Sequence, residues 1–589
     1  MSWLRSLHRA FGRSFRLLRP HRATVAVGLL LVPVHAAVTL WMPRLLGQTL
    51  DLLSGGEGAQ QLGTTCLLLL GLAAVEAASR FTSRKLLIDA SREVERDLKD
   101  DLVAHLQRLP ATWHDRARTG DLTSRMTQDV ELLRFVVGPV LLHGGSMLCV
   151  LPGGLVLMLS MDVPVALASL SALLFVLVAM RFVVPRLHTW SKRSQEAIAD
   201  ISQQAQEDFA GVRVVQQFDR VPRELAAMAT RNRRYLLANL RQVRLRSQLN
   251  ALMHSTSGVV TLGVLLVGGH QVVGGHITVG ELFQFLGYLA LMTFPLQILG
   301  WTVSMMPRAY AAGGRVEELF EATPEPEHGA RPQLRGDLEV RDLTFTYPGA
   351  ERPALRGVSF SLRAGQKLGL IGPVGSGKST LLALLLRLYD PPRGAVFVDG
   401  HDVLDLAPAT LRALFAYAPQ EPFLFSDTLA ANVAFGAEGA DPARRDAAVA
   451  AAALDQDLPQ LAEGLQTVVG ERGVTLSGGQ KQRVSLARAV LSDRPALLLD
   501  DTLSAVDPGT ERRILAGLRR ARAGRTVIAA THRLSVTADA DLILVLDQGA
   551  VAARGTHEAL LARPGGYATA WRLQTEARAL SGDGGAEPR

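Results

Sequence analysis

Gly372-Pro373-Val374-Gly375-Ser376-Gly377-Lys378-Ser379-Thr380 decides how the second half of this chain folds. A short apolar run, Lys367 to Ile371, leads into it, and a strongly helical one, Leu381 to Leu388, leaves it. Strand, glycine-rich turn and helix in that order make a phosphate-binding loop, because glycine lets successive backbone N–H groups turn toward an anion at the positive end of a helix. In such a loop Lys378 reaches the β and γ phosphates of a nucleotide, and the Ser379 hydroxyl ligates Mg²⁺.

Further along, the apolar run Ala496 to Leu499 ends in two carboxylates, Asp500 and Asp501. Two acids after an apolar run ordinarily read as a solvated strand end, but the loop upstream reverses that reading. A neighbouring strand of the same sheet would bring Asp500 to the metal through water, and the next residue is where a base that orients attacking water belongs.

Between these elements stands Leu476-Ser477-Gly478-Gly479-Gln480, followed by the helical stretch Lys481 to Leu491. With this string the chain resembles the ABC transporters, and as a whole it is similar to the exporters of that family. The resemblance implies a half-transporter that binds ATP and Mg²⁺ and works as a dimer. It implies that Tyr347 stacks on adenine, that Gln420 in Ala418-Pro419-Gln420-Glu421 touches Mg²⁺ and reports to the membrane domain, and that His532 is the switch histidine. Gly470-Glu471-Arg472-Gly473 matches the exporter cross-link loop, and Ser504-Ala505-Val506-Asp507 matches the loop that crosses the dimer interface. In the family two ATPase domains close head to tail, so Ser477, Gly478, Gly479 and Gln480 would meet the ATP held by the partner's loop.

One residue departs from the family pattern. Members that hydrolyse ATP well carry Glu where this chain has Asp501. Loss of one methylene withdraws the carboxylate by about 1 Å, and misplacement on that scale can cost about a hundredfold in rate. The resemblance then points to a heterodimer in which this chain holds the slow site, while its intact Ser477–Gln480 signature completes a partner that has Glu and an altered signature. A homodimer with two slow sites, a siderophore-type importer on the exporter fold and a nucleotide-gated channel or regulator are the alternatives.

The first half reads differently. The chain has 589 residues, room for more than one domain. Its mean hydropathy of +0.17 averages a lipid-like half with a soluble one. A hydrocarbon core of about 30 Å takes about 20 helical residues to cross, and six stretches qualify: 23 to 48, 62 to 82, 136 to 159, 163 to 185, 251 to 273 and 281 to 306. Long polar stretches after the second and fourth would carry helices far into the cytosol. Thr119-Gly120-Asp121-Leu122 and Glu207 to Phe218 lie in them, where the resemblance expects coupling helices.

The net charge of +8 could suggest nucleic acid, but its distribution argues otherwise. Arg5, Arg9, Arg13, Arg16, Arg19 and Arg22 precede the first apolar run, whereas 47 to 61, 159 to 164 and 270 to 280 hold no Lys or Arg. That asymmetry is the positive-inside pattern, and it puts both termini and the ATPase domain in the cytoplasm, beneath a plasma membrane. The first apolar run is too long for a signal peptide. Only Cys66 and Cys149 are present, which gives no disulfide framework or zinc site.

The expected fold is multidomain: an all-α bundle of six transmembrane helices with long cytosolic extensions, fused to an α/β P-loop ATPase domain. The divisions are an amphipathic elbow helix over 1–22, a transmembrane domain over 23–318, a linker over 319–336, the nucleotide-binding domain over 337–572 and a tail over 573–589. Glu76 and Arg80, four apart, are expected to pair along one helix face, while His143, His254 and Gln284 stand within or near spans.

Overall fold

The computed structural model describes residues 2–54, 59–437, 439–470, 473–504, 506–521 and 524–580. Glu471, Arg472, Ala505, the side chain of His254 and the stretch 581–589, all named above, lie outside the described residues. Two compact units emerge: one spans Met1–Gln107 and Thr119–Ala322, the other Arg108–Arg118 and Thr323–Arg589.

The first unit is helical throughout. Its long helices run Arg22–Ser54, Ala59–Gln107, Val163–Ala210, Val221–Val273 and Val279–Glu321, and a helical run from Thr119 to Met161 contains π-turns at Arg125–Asp129 and Val136–Val140. The backbone is helical across all six stretches that the sequence marked. Among the described residues, three helices are long and apolar enough to cross a membrane: Arg22–Ser54, Leu62–Gln107 and Thr119–Met161. Gly258–Val273 and Val279–Thr293 are apolar but shorter.

Helix starts follow local chemistry. Asp162 accepts from the Val165 N–H at 2.9 Å, and Thr278 and Glu281 form a reciprocal capping box at 2.8 and 3.0 Å. Helices meet where side chains are small, as van der Waals packing in lipid requires. A Cβ on Gly280 would stand 2.0 Å from the Gly47 carbonyl oxygen, and one on Gly138 would stand 2.5 Å from Ser91 Oγ.

One group of ion pairs in this unit gathers at the end of its last helix. Arg315 grips the buried Asp129 at 2.6 and 2.8 Å, Arg125 meets Glu318 at 2.9 Å, and Arg13 and Arg9 of the helix Ser2–Leu17 reach Glu317 at 3.2 Å and Glu321 at 2.6 Å. That first helix buries Ala10, Phe11 and Ser14. Glu76 and Arg80 do pair, at 2.8 Å, and Gln284 is buried against Gly47.

The second unit is α/β. Its strands are β1 (Leu338–Phe345), β2 (Leu355–Leu362), β3 (Lys367–Ile371), β4 (Val396–Val398), β5 (His401–Asp402), β6 (Phe415–Ala418), β7 (Asp427–Thr428), β8 (Val468–Val469), β9 (Ala496–Asp500), β10 (Thr526–Thr531), β11 (Leu542–Asp547) and β12 (Ala550–Gly555). A six-stranded sheet has the order β12-β11-β3-β10-β9-β6, parallel except for its β11–β12 edge. A four-stranded antiparallel sheet has the order β2-β1-β4-β5. Every residue of β3, β9 and β10 is buried, as expected of parallel strands covered on both faces.

The sequence suggests a linker over 319–336, yet from Thr323 onward it belongs to the second unit. Ala330 exchanges backbone bonds with Asp405 and Ala407 at 2.8 and 3.0 Å, and Glu325 takes a bidentate guanidinium from Arg412 at 2.6 and 2.7 Å. The segment Arg108–Arg118 sits there too: the Arg108 carbonyl accepts from the Glu325 N–H at 2.8 Å, and Asp115 accepts from the Tyr389 hydroxyl. The helix Gly566–Leu580 runs on through residues that the sequence assigned to a tail.

Candidate functional site

The parallel order of the large sheet brings its carboxyl ends together, and the loops leaving β3, β9 and β10 form the site. The loop after β3 is Gly372–Gly377, and the helix Lys378–Leu385 starts at its end. Gly375 and Gly377 have φ of +81° and +98°, a region that only glycine enters without strain. A Cβ on Gly377 would also stand 2.7 Å from the Ala354 carbonyl oxygen. Ser376 is buried, and Val374 is 97% exposed. Pro373 accepts from the Ser376 N–H at 3.2 Å, closing the turn.

Lys378 Nζ donates to the Gly372 and Pro373 carbonyls, both at 2.9 Å. Burial holds its ammonium below the ordinary lysine range, with the charges of Asp501 and Asp500 pulling the other way. Ser379 Oγ donates to Asp500 Oδ1 at 3.0 Å, so the hydroxyl and the carboxylate already face one another. Such hard oxygen donors suit Mg²⁺, and the residues present fit the group that the loop implies. Burial raises the Asp500 carboxyl above the ordinary aspartate range, opposed by hydrogen bonds from Ser379 and Tyr417.

Asp501 follows the end of β9 with φ +46°, and its N–H donates to the Ala530 carbonyl of β10 at 2.8 Å. Its Oδ1 lies 3.0 Å from His532 Nδ1 and 3.4 Å from the Thr531 hydroxyl. Adjacent parallel strands thus bring together an acid and a histidine that are far apart in sequence. Tyr347 donates to Thr380 Oγ1 at 3.1 Å and meets Tyr389 edge-on, with centroids 5.0 Å apart.

The remaining expected residues, Gln420 and Ser477 to Gln480, make no hydrogen bond to these groups among the described residues. Gln420 is solvent-exposed beyond the end of β6. The signature turn starts the helix Gly478–Leu491 with a capping box: Ser477 N–H donates to Gln480 Oε1 at 2.9 Å, and Gln480 N–H to Ser477 Oγ at 3.3 Å. Gln480 also reaches Asp457 at 3.3 Å. Ser477 and Gly478 are exposed and Gly479 is buried, so the positive end of a 14-residue helix faces outward.

Sequence reasoning missed three neighbours of the cluster. Tyr417, on β6 next to β9, places its hydroxyl 3.4 Å from Asp500 Oδ2, and burial pushes its phenol well above the usual range. Arg533 pairs with Glu511 and donates to the Ser504 carbonyl at 2.9 Å. Gln482, buried in the signature helix, donates to Ser504 Oγ at 3.0 Å. Position alone marked Tyr417, three residues before Gln420 on a strand of the same sheet.

The comparisons agree with this architecture. The model of the ABC transporter transmembrane region matches residues 25–296, and the model described as ABC transporter matches residues 355–504. The multidrug resistance-like ATP-binding protein MdlA of Escherichia coli (strain K12) is 35% identical over 561 residues, covering 93% of this chain and 94% of that protein. An ATP-dependent lipid A-core flippase of Methylococcus capsulatus is 33% identical, covering 95% and 94%. A bacterial Atm1-family ABC exporter solved with ATP bound superposes with a TM-score of 0.76 at 29% identity, over 94% of this chain and 98% of that one. The chain therefore belongs to the ABC transporters, as a half-transporter of the exporter type that carries a helical membrane region and an ATPase domain on one polypeptide.

Proposed function

We propose that this chain moves an amphipathic solute or lipid outward across the plasma membrane by alternating access, with ATP as the driving ligand and a second half-transporter as its partner. The observation that carries the reading is the convergence of Lys378, Ser379, Asp500, Asp501 and His532 on one glycine-rich turn, in a chain whose other unit is built of long apolar helices. Relatives named as a multidrug resistance-like protein and a lipid A-core flippase support the amphipathic class of cargo.

The residues divide the work. Lys378 and the N–H groups of 375–380 bind the β and γ phosphates, Tyr347 takes adenine, and Ser379, Asp500 and Gln420 hold the metal. Magnesium, when bound with the nucleotide, supplies positive charge to the phosphate oxygens. Asp501 accepts a hydrogen bond from the attacking water and His532 holds that carboxylate in place. Ser477 and Gly479, with Gly478 and Gln480, present a helix N-terminus to the partner's ATP. Binding across two chains makes closure a sensor of ATP, and closure rocks the membrane helices.

Thr119–Leu122 and Glu207–Phe218 serve as the coupling elements. The second breaks into a short helix, Val212–Gln217, with Phe209 78% and Phe218 67% exposed, apolar surface that suits docking. Asp501 makes this chain's own site slow, which favours a heterodimer whose partner supplies Glu. The contact between Asp501 and His532 favours a second reading, a homodimer with two slow sites, because a short carboxylate held in place can still orient a water.

Reconstitution tests the proposal. Full-length chain in lipid vesicles with a second half-transporter should move a fluorescent lipid only when magnesium-ATP is supplied, with turnover blocked by vanadate. Lipid movement that ignores ATP, or an ATP-gated ion current without turnover, would refute it.

A further inference from the structure

The loop that carries His532 is held from the far end of the chain. The helix Gly566–Leu580 is anchored by Tyr567, which is buried with its hydroxyl 2.7 Å from His557 Nδ1, and by Trp571, whose ring lies 4.4 Å from that of His557. Leu534 joins Tyr567, Leu560, Ile543 and Ile371 in one apolar cluster. From this helix the Gln574 side chain makes two bonds to the loop backbone. Its Nε2 donates to the His532 carbonyl at 2.8 Å, and its Oε1 accepts from the Leu534 N–H at 3.0 Å. Because one backbone partner is an acceptor and the other a donor, the amide has a single orientation that satisfies both.

The opposite side of the loop is tied as well. The Arg533 N–H donates to Thr531 Oγ1 at 3.0 Å, and its guanidinium pairs with the buried Glu511. Between these holds the His532 imidazole points at Asp501. The neighbouring Thr575 is a useful contrast: its hydroxyl turns back onto its own helix, at the Trp571 carbonyl, so reaching out to the loop is a property of Gln574 and not of the helix surface in general.

We infer that Gln574 is a positioning residue of the ATP site, gripping the backbone of His532 and Leu534 and so setting the imidazole of His532 against Asp501. The inference rests on the ATP-site reading above. Methionine at 574 retains the volume and helix packing but removes both hydrogen bonds, while glutamate retains the acceptor and removes the donor.

The test measures magnesium-ATP and magnesium-ADP affinity of the full-length chain in lipid, with its partner, counting only the binding that Lys378→Ala removes. His532 and Asp501 would face the γ phosphate, which ADP lacks, so Gln574→Ala and Gln574→Met should each weaken ATP about three- to tenfold and ADP less than about twofold, with Gln574→Glu between them and the wild type. A purely structural role would lower both affinities together or lower the thermal midpoint. Equal ATP and ADP affinities in Gln574→Met and wild type would overturn the inference. If Lys378→Ala removes no binding at all, the site reading fails, a separate result from failure of the Gln574 variants.

Discussion

Leucine has opposite fates in the two units. In the ATPase unit Leu368 and Leu370 of β3 are fully buried, whereas Leu67, Leu70 and Phe81 on the second membrane helix are 70%, 67% and 68% exposed. Both segments are apolar for the same transfer free energy, but one is covered by helices and the other is long enough to meet lipid. Polar groups differ in parallel. Those of the ATPase unit converge on one phosphate loop from three strand ends; those of the membrane unit pair with each other, as Arg315 does with Asp129 and Arg125 with Glu318. Chemistry is concentrated in the ATPase unit, and cohesion of helices in the membrane unit.

The largest effect that would break this contrast belongs to Lys378. Removing its ammonium with Lys378→Ala should weaken magnesium-ATP affinity by about a hundredfold or more, since the loop loses its one side-chain cation. Equilibrium binding to the full-length chain checks it, and an affinity within threefold of wild type would move the chemistry elsewhere. Ser477→Ala comes next. It should leave nucleotide binding at this chain's own loop intact and lower turnover at the partner's site by roughly tenfold, read as vanadate-sensitive ATPase of the assembled pair.

The membrane unit should answer with stability instead. Arg315→Ala leaves the buried Asp129 without its bidentate partner, and because the Arg315 side chain is 45% exposed the cost is screened to about 1–2 kcal/mol. Thermal unfolding in detergent should show the loss, with ATP affinity unchanged. The smallest effect concerns Tyr417→Phe. Asp500 must be charged to serve the metal, and its carboxyl already stands above the ordinary range. Removing the Tyr417 hydroxyl raises it further, so the acidic loss of magnesium-ATP binding moves to higher pH, with less than about a threefold change at neutral pH.

What the sequence disclosed follows the same divide. Glycines at 375 and 377 are legible because the turn forbids a side chain there, and Asp500 and Asp501 are legible because an apolar strand must end before them. The six apolar stretches were legible by length alone. Other features depend on contacts between distant segments. Gln574 meets the His532 loop across 42 positions, and Asp115 meets Tyr389 across 274; no local pattern announces either pair. The segment 319–336 reads as a linker by composition, yet Glu325 and Ala330 are tied to the ATPase unit by partners that composition does not name. The residues facing a transport path are equally hidden, because apolar helices carry little periodic signal when lipid and protein are both apolar neighbours.

The shortened carboxylate gives the most direct test of the account. Single-turnover hydrolysis of ATP bound at this chain's own loop should accelerate about 10- to 100-fold in Asp501→Glu, because the longer side chain restores the reach of the base. An unchanged or slower rate in Asp501→Glu, with ATP affinity retained, would contradict the assignment of Asp501 as the residue that sets turnover.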